Sequence, residues 1–205
     1  MHSDSFLSSI SLSDSDRLLH SWGFDLTKEY FSIANQVGIA SSFAVELATG
    51  TGRMCAVLSG LFQTVVTGDY SIDDHERAVK RIPPANLNRM QFVRLNMESL
   101  PFRTDSIPLL FCLNTLHEVS RPERCVKEMI RVIRPDGTLV LGDFNKTGFE
   151  VMQKIHQIVY KNDHNEGTIS MEALKEMLFR SFGSINETVT PLNETFIASQ
   201  KIDSL

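Results

Sequence analysis

Two short segments constrain the fold more than any other part of the sequence. Residues 45–52 read VELATGTG, and residues 65–69 read VVTGD. In the first segment an apolar run breaks at Gly50 and Gly52, as is typical of a buried parallel strand that turns into a helix. In the second, Asp69 ends another apolar strand, where its carboxylate can accept hydrogen bonds from both hydroxyls of a ribose. Together the segments predict one βαβ unit that binds an adenine nucleoside cofactor.

The positions around the glycines distinguish between cofactors. The dinucleotide fingerprint needs a third glycine, G-x-G-x-x-G, and that place is held by Cys55, which disfavours a nicotinamide cofactor. A different pattern, acid-x-small-x-Gly-x-Gly, is met by Glu46, Ala48, Gly50 and Gly52. It resembles the first motif of the class I S-adenosylmethionine-dependent methyltransferases, which more often have glycine where Ala48 stands.

Three later stretches extend the resemblance. Residues 91–102 (QFVRLNMESLPF) are similar to the family's third strand and acidic turn, residues 105–119 (DSIPLLFCLNTLHEV) to its fourth strand and Leu-His segment, and residues 128–137 (EMIRVIRPDG) to its next helix and corner. The resemblance covers roughly residues 43–145. It points to the branch that contains the ubiquinone and menaquinone biosynthesis methyltransferases.

Alternating strand and helix patterns predict an α/β fold: a Rossmann-like, doubly wound, mainly parallel sheet with helices on both faces. The predicted strands are 43–48, 63–69, 91–95, 108–113, 137–143, 184–190 and 194–200. The predicted helices are 13–21, 26–40, 51–61, 72–81, 122–133, 147–160 and 171–181, after a frayed start at 1–12. The resemblance implies that the last two strands form an antiparallel hairpin, which completes a seven-stranded sheet. We expect one domain over residues 1–205, with an N-terminal helical cap (1–42), a cofactor-binding core (43–145) and C-terminal helices and hairpin (146–205).

The resemblance also implies a cofactor site. The matching positions are Glu46, Ala48, Gly50, Gly52, Asp69, Tyr70, Asn96, Met97, Leu113 and Asn114. Glu46 is expected to hold the ammonium of the methionine end, and Asp69 the ribose hydroxyls. Tyr70 is expected beside the adenine ring, which Asn96 and the Met97 amide contact at its edge.

Three of the family's usual residues are replaced in this chain. Besides Ala48, Asn96 stands where an aspartate usually meets the adenine amino group, and Pro108 where an aspartate usually opens the fourth strand. An amide accepts a hydrogen bond without adding charge, so weaker cofactor binding is expected. Leu113 and Asn114 end that strand, so they are expected near the reacting methyl group.

Four residues are candidates for the acceptor side. His117 and Asp143 follow two neighbouring strands and are candidate acid/base groups, although a packing role for His117 and a turn-capping role for Asp143 are equally open. Tyr30 is a candidate contact to the methionine end, with ordinary helix packing as its alternative. Glu118 is a candidate substrate contact, with a solvated or ion-paired side chain as its alternative.

The expected reaction is transfer of a methyl group from S-adenosylmethionine to an oxygen, nitrogen or carbon atom of a small molecule. The donor is already activated, so a general base is needed only if the acceptor must lose a proton. Two alternatives stay open: a protein that binds S-adenosylmethionine without transferring the methyl group, and an NAD-dependent oxidoreductase.

Composition narrows the setting. The net charge of −5 disfavours a nucleic-acid partner, and no apolar run approaches the ~20 residues that span a bilayer. The start of the chain has no secretory signal, and its three cysteines have neither disulfide nor metal spacing, so we expect a cytoplasmic protein. The sequence does not indicate whether the protein is a monomer or an oligomer.

We predict no metal site from spacing alone. Residues 162–173 resemble a calcium loop, but Ala173 stands where calcium needs a bidentate glutamate. His156, Asp163 and His164 make an equally weak transition-metal pattern. A polar loop that leads into a helix capped by Ser170 explains the segment.

Overall fold

The computed structural model describes residues 2–37, 42–71, 73, 75–164 and 167–202. Its strands are β1 (Phe43–Leu47), β2 (Thr64–Asp69), β3 (Met90–Arg94), β4 (Ile107–Leu113), β5 (Ile133–Phe144), β6 (Phe182–Val189) and β7 (Asn193–Lys201). Its α-helices are α1 (His2–Leu7), α2 (Asp14–Ser21), α3 (Leu26–Gln36), α4 (Arg53–Leu61), α5 (His75–Arg81), α6 (Pro122–Val132), α7 (Lys146–Ile155) and α8 (Met171–Phe179). A π-helical turn, His156–Tyr160, extends α7.

The strands form one seven-stranded sheet in the order β3-β2-β1-β4-β5-β7-β6. The first five strands of this order run parallel, whereas β7 lies antiparallel between β5 and β6. The predicted α/β fold with a terminal antiparallel hairpin is therefore confirmed. The order reverses direction at β1 and β4, so the loops at their carboxyl ends border a crevice suited to ligands.

Apolar residues fill both faces of the sheet because strand side chains alternate in direction. Ala44 belongs to a core shared with α3, α4 and α7, whereas its neighbour Val45 belongs to a core shared with α6 and α8. Both residues are fully buried. This two-sided burial is why β1 reads as a continuous apolar run.

The expectation of a frayed start was wrong. The chain forms α1 within residues 2–7, and the Phe6 ring packs against Gly60 in α4 and Phe31 in α3. A side chain at Gly60 would overlap that ring, since an added Cβ would lie 2.1 Å from it. The aromatic ring of Phe6 thus anchors this serine-rich segment. The polar composition of the segment gave no indication of this contact.

Several boundaries differ from prediction. β5 begins at Ile133 rather than 137, because the corner at Gly137 packs against carbonyl groups of β4 and continues the strand. A short 3₁₀ segment, Pro84–Arg89, was not predicted. Two predictions fall partly outside the described residues: the end of the predicted helix 26–40 (residues 38–40) and positions 72 and 74 of the predicted helix 72–81. No helix that the structure describes is both long and apolar enough to cross a bilayer.

A buried ionic network ties the N-terminal helices to the sheet. Asp16 in α2 accepts hydrogen bonds from Arg53 (Nε–Oδ1 2.8 Å) and Arg81 (Nη1–Oδ2 2.5 Å), and its side chain is only 3% exposed. Ser13, the cap of α2, adds a backbone hydrogen bond at 2.8 Å. Burial opposes ionisation of Asp16, but the two guanidinium groups outweigh it and hold the pKa well below its usual value of 3.8.

We expect Asp16→Asn to lower the free energy of unfolding by about 3 kcal/mol at pH 7, because it leaves two buried cations with one neutral partner. Since the folded-state pKa of Asp16 is depressed, its contribution is present above pH 4 and is lost as the pH falls. Urea denaturation at pH 7 and pH 3 measures both effects. Asp14→Asn is the control, because that side chain is 84% exposed. A loss at pH 7 no larger than that of Asp14→Asn would contradict this account of the network.

Candidate cofactor and acceptor site

Two adjoining cavities lie at the carboxyl ends of β1, β2 and β4. The His117 cavity has a volume of about 380 Å³ and the Asp69 cavity about 550 Å³. They share the lining residues Ala48, Gly50, Asn114 and Glu118. These four shared residues make the two cavities parts of one cleft.

Most predicted site residues line this cleft. The His117 cavity adds Tyr30, Glu46, Leu113 and His117 to the shared set, and the Asp69 cavity adds Asp69, Tyr70, Asn96 and Met97. Gly52 and Asp143 are not among the lining residues of either cavity. Gly52 takes φ +82° beside α5, where an added Cβ would lie 2.4 Å from Ala78, so this glycine serves helix packing.

The turn after β1 is held against the end of β2. The Gly50 amide donates to Asp69 Oδ2 at 2.9 Å, and the Thr49 amide donates to the Gly68 carbonyl at 3.2 Å. An added Cβ at Gly50 would meet nothing within 4 Å. The turn therefore presents open space and a half-buried carboxylate to the cleft.

Ala48 occupies a left-handed backbone conformation, with φ +60°. An L-residue other than glycine loses about 1 kcal/mol or more there, because its Cβ crowds the following carbonyl. The family's usual glycine would relieve that strain. Ala48 also lines both cavities, so it lies where they adjoin.

Glu46 is a buried carboxyl group on the floor of the His117 cavity, 2% exposed. Thr49 and Thr67 form a hydroxyl chain (Oγ1–Oγ1 2.6 Å), and Thr67 donates to Glu46 Oε2. Burial, reinforced by the nearby charge of Asp69, raises the pKa of Glu46 to about 8 against the opposing Thr67 hydrogen bond. Glu46 is therefore largely protonated at neutral pH, and a bound cation would favour its carboxylate form.

The far end of the Asp69 cavity is open to solvent. Tyr70 is 67% exposed, and the Arg94 guanidinium lies 5.7 Å from its ring centroid. Asn96 uses its side-chain oxygen to accept the Glu98 amide at 2.9 Å, which closes a turn. Met97 packs partly into the core shared with α6 and α8. Tyr70 and Met97 thus offer apolar surface for a flat ring.

Tyr30 and Asn114 form a partly buried polar bridge between the N-terminal helices and the sheet. Asn114 Nδ2 donates to the Tyr30 hydroxyl at 2.7 Å and to Asn193 Oδ1 at 2.6 Å. Asn114 Oδ1 is buried without a hydrogen-bond partner. Burial raises the pKa of Tyr30, so this hydroxyl stays protonated. The unsatisfied oxygen of Asn114 marks a place where a ligand donor fits.

His117 and Asp143 form a hydrogen-bonded pair. His117 Nδ1 lies 2.6 Å from Asp143 Oδ1, and the His117 amide donates to Asp143 Oδ2 at 3.1 Å. Both side chains are buried, and His117 Nε2 has no hydrogen-bond partner. Asp143 therefore selects the tautomer with a proton on Nδ1, which leaves the Nε2 lone pair free beside the cavity.

The loop after α7 closes the other side of the His117 cavity. Gln153 holds this loop, because it accepts the His164 amide at 2.8 Å and donates to Asp163 at 2.9 Å. The His164 ring lies 4.8 Å from that of His117 and 4.5 Å from that of His156, measured between centroids. Burial and these two rings lower the pKa of His164 to about 4.

Several residues that line the His117 cavity were not predicted as part of a cofactor or acceptor site, among them Arg53, His156, Tyr160, Asn162 and His164. Arg53 is the only arginine or lysine among the described residues that line the His117 cavity. Arg53 directly follows Gly52, so the motif alone predicts that it lies at the start of a helix that faces the ligand. The other four lie beyond the stretch covered by the resemblance, where sequence alone does not show how the loop folds back.

Comparison with known proteins agrees with the fold and with the methyltransferase resemblance. A family profile described as a methyltransferase domain matches residues 45–141. The chain is 28% identical over 123 residues to a demethylmenaquinone methyltransferase from Clavibacter sepedonicus, covering 60% of this chain and 49% of that protein. It is 25% identical over 144 residues to the ubiquinone/menaquinone biosynthesis C-methyltransferase UbiE of Shewanella pealeana, covering 67% and 57%. The chain thus spans about half the length of these relatives.

Solved structures share the architecture. A SAM-dependent methyltransferase from Aquifex aeolicus superposes with a TM-score of 0.60 at 16% identity, covering 83% of this chain and 88% of that one. The [4+2]-cyclase SpnF also superposes with a TM-score of 0.60 at 16% identity, covering 78% and 60%. At such identities the likeness shows the fold alone.

The matched domain, the relatives and the sheet order all agree with the resemblance found in the sequence. The chain is thus similar to the class I S-adenosylmethionine-dependent methyltransferases, with UbiE proteins among its relatives. The cleft fits S-adenosylmethionine, the cofactor that this likeness implies: Glu46 is the next-to-last residue of β1, Asp69 ends β2, and the space over Gly50 is open.

We expect Ala48→Gly to raise the free energy of unfolding by about 0.5–1 kcal/mol. It removes the left-handed strain, which is partly offset by the greater freedom of glycine in the unfolded chain. The melting temperature then rises by roughly 2 °C. Ala56→Gly, within α4, is the control and should lower stability by about 1 kcal/mol. Destabilisation by both variants would show that the backbone at Ala48 is not strained.

Proposed function

We propose that this chain transfers a methyl group from S-adenosylmethionine to an oxygen, nitrogen or carbon atom of a small polar acceptor. The observation that carries the proposal is the continuous cleft at the ends of β1, β2 and β4. In it, the carboxyl groups of Glu46 and Asp69 lie on either side of an open glycine turn. This arrangement suits a ligand with an amino acid at one end and a sugar at the other.

The residues divide the cofactor between the two cavities. In the His117 cavity we assign Glu46 to the ammonium and Arg53 to the carboxylate of the methionine end, since each group meets its opposite charge there. In the Asp69 cavity we assign Asp69 to the ribose hydroxyls, with Tyr70 and Met97 beside the adenine. Leu113 and Asn114 then lie where the methyl group leaves.

The acceptor space is small and polar. The methionine end takes part of the 380 Å³ of the His117 cavity. The remaining described wall combines the polar residues His117, Glu118, His156, Asn162, His164 and Tyr160 with three apolar ones, Met54, Phe144 and Met152. A long isoprenoid tail needs an apolar tunnel, which this wall does not resemble. We therefore propose a compact polar acceptor, unlike the prenylated quinones for which the relatives are named.

His117 is proposed as the general base. Bound S-adenosylmethionine supplies a methyl group already activated by its sulfonium. Asp143 keeps the proton on Nδ1, so Nε2 is free to take a proton from an acceptor O–H, N–H or C–H as the new bond to carbon forms. Phe144 and Phe149 pack around the imidazole and limit the access of water.

A cytoplasmic location is also proposed. Cys55, Cys112 and Cys125 are free and buried, which suits a reducing compartment. Burial raises the pKa of each thiol, so these residues are unreactive packing groups.

The affinity for S-adenosylhomocysteine should depend on pH through Glu46. Its pKa of about 8 means that the carboxyl group is protonated at pH 6–7 in the free protein, whereas an ammonium ligand requires the carboxylate. Binding must then release a proton, and the dissociation constant should fall up to tenfold from pH 6 to pH 7. Isothermal titration calorimetry in two buffers with different ionisation enthalpies measures the released proton directly.

Glu46→Gln is the matched variant, because it keeps the shape and the Thr67 contact but cannot ionise. It should bind S-adenosylhomocysteine at least tenfold more weakly at pH 7 and lose most of the pH dependence. An unchanged slope in this variant would remove Glu46 from the ammonium site.

Methyl transfer itself is tested with S-adenosylmethionine labelled in its methyl group and a panel of acceptors. We expect label in a compact phenol, carboxylic acid, amine or imidazole, and none in demethylmenaquinone. His117→Gln should lower kcat by about 10²–10⁴-fold without changing S-adenosylhomocysteine affinity. The control is His20→Gln, in α2 and outside the cleft. Efficient labelling of the prenylated quinone would overturn the acceptor class, and full activity of His117→Gln would overturn the base.

A further inference from the structure

Three side chains of metal-ligand type converge on the wall of the His117 cavity. His117, Glu118 and His164 each direct one ligand atom to a common region, and these atoms lie within 4.8 Å of one another. Two of the three side chains follow β4, and the third lies in the loop after α7. Methyl transfer as proposed above uses only His117, so the convergence of the other two has no role yet.

His117 is built like a metal-bound histidine. Protein ligands of this type usually donate their second ring nitrogen to a carboxylate, which fixes the ring and raises its basicity. Asp143 supplies that carboxylate at 2.6 Å, and the His117 side chain is only 2% exposed. The remaining nitrogen, Nε2, is buried and unpartnered. This is an orphaned acceptor that a cation would satisfy.

The other two groups complete a three-ligand set. His164 Nδ1 is also buried without a hydrogen-bond partner, and Gln153 fixes the backbone beside it. Glu118 Oε1 lies 3.8 Å from His117 Nε2, and its side chain is 58% exposed and thus free to adjust. Ligand atoms around a tetrahedral zinc ion lie roughly 3.3 Å apart, so shifts of about 1 Å close the site.

We propose that His117 Nε2, His164 Nδ1 and the Glu118 carboxylate bind one divalent transition metal ion. Two imidazoles and one carboxylate suit Zn²⁺ and its neighbours Co²⁺ and Ni²⁺ rather than Mg²⁺ or Ca²⁺, which prefer oxygen ligands. Three protein ligands leave one position of the ion facing the cavity.

Metal binding and base catalysis exclude each other at His117, because Nε2 has a single lone pair. The metal-bound protein would hold an acceptor by its oxygen or nitrogen without removing its proton through His117. This consequence rests on the proposed function, whereas the metal site rests on the geometry of the three ligands alone.

Direct binding to the full chain tests the site. Titration with Co²⁺ should give one ion per chain and the intense visible absorption of a tetrahedral complex, and Zn²⁺ should displace it. Zn²⁺ should also raise the melting temperature. Glu118→Gln, at an exposed position that folding does not need, should weaken Zn²⁺ binding at least tenfold, and His164→Ala more strongly. Asp143→Asn should weaken it 10–100-fold.

His20→Ala is the control, because it removes an imidazole outside the cluster and should bind Zn²⁺ like the parent chain. The metal site would be overturned if the parent chain failed to bind Zn²⁺ at 100 µM. It would also be overturned if Glu118→Gln and His164→Ala both bound Zn²⁺ as tightly as the parent chain does. Neither result touches the proposed function, since S-adenosylhomocysteine binding and methyl transfer are measured without added metal.

Discussion

One hydrogen bond organises the cleft: the Gly50 amide donates to the Asp69 carboxylate across the ends of β1 and β2. It holds the glycine turn beside the carboxylate that we assign to the ribose, so the turn and the sugar site are positioned by the same contact. The parallel pairing of β1 with β2 brings these two residues together, and the reversal of strand order at β4 opens the space beside them. The remaining assignments follow from that space.

The N-terminal helices take part in this site rather than simply covering it. Asp16 orients Arg53 toward the His117 cavity, and Tyr30 meets Asn114 above it. Because these contacts are buried and charged or hydrogen-bonded, they fix the helices in one position over the cleft. The C-terminal hairpin contributes as well, since Asn193 completes the Tyr30–Asn114 bridge.

Local sequence patterns predicted the sheet and led to candidate residues most of which line the cleft, because both depend on short-range signals. The turn at Gly50, the carboxylate of Asp69 and the end of β4 at Asn114 could all be located from motifs and apolar runs. Contacts between distant segments could not. The anchoring of α1 by Phe6 and the approach of His164 to His117 depend on how a helix and a loop fold back, which neither composition nor spacing reports. For the same reason, the metal-ligand set is not visible as a sequence motif.

The most direct test of the central claim is to measure the binding of S-adenosylhomocysteine to the parent chain and to Asp69→Asn by calorimetry. Asp136→Asn is the control, because Asp136 lies near the start of β5, away from the cleft. Loss of a charge-assisted contact to a ribose is worth about 1.5–3 kcal/mol, so Asp69→Asn should bind roughly 10–100-fold more weakly while the control binds normally. NAD should not bind the parent chain. Equal affinity of the parent chain and Asp69→Asn, or a preference for NAD, would contradict the account.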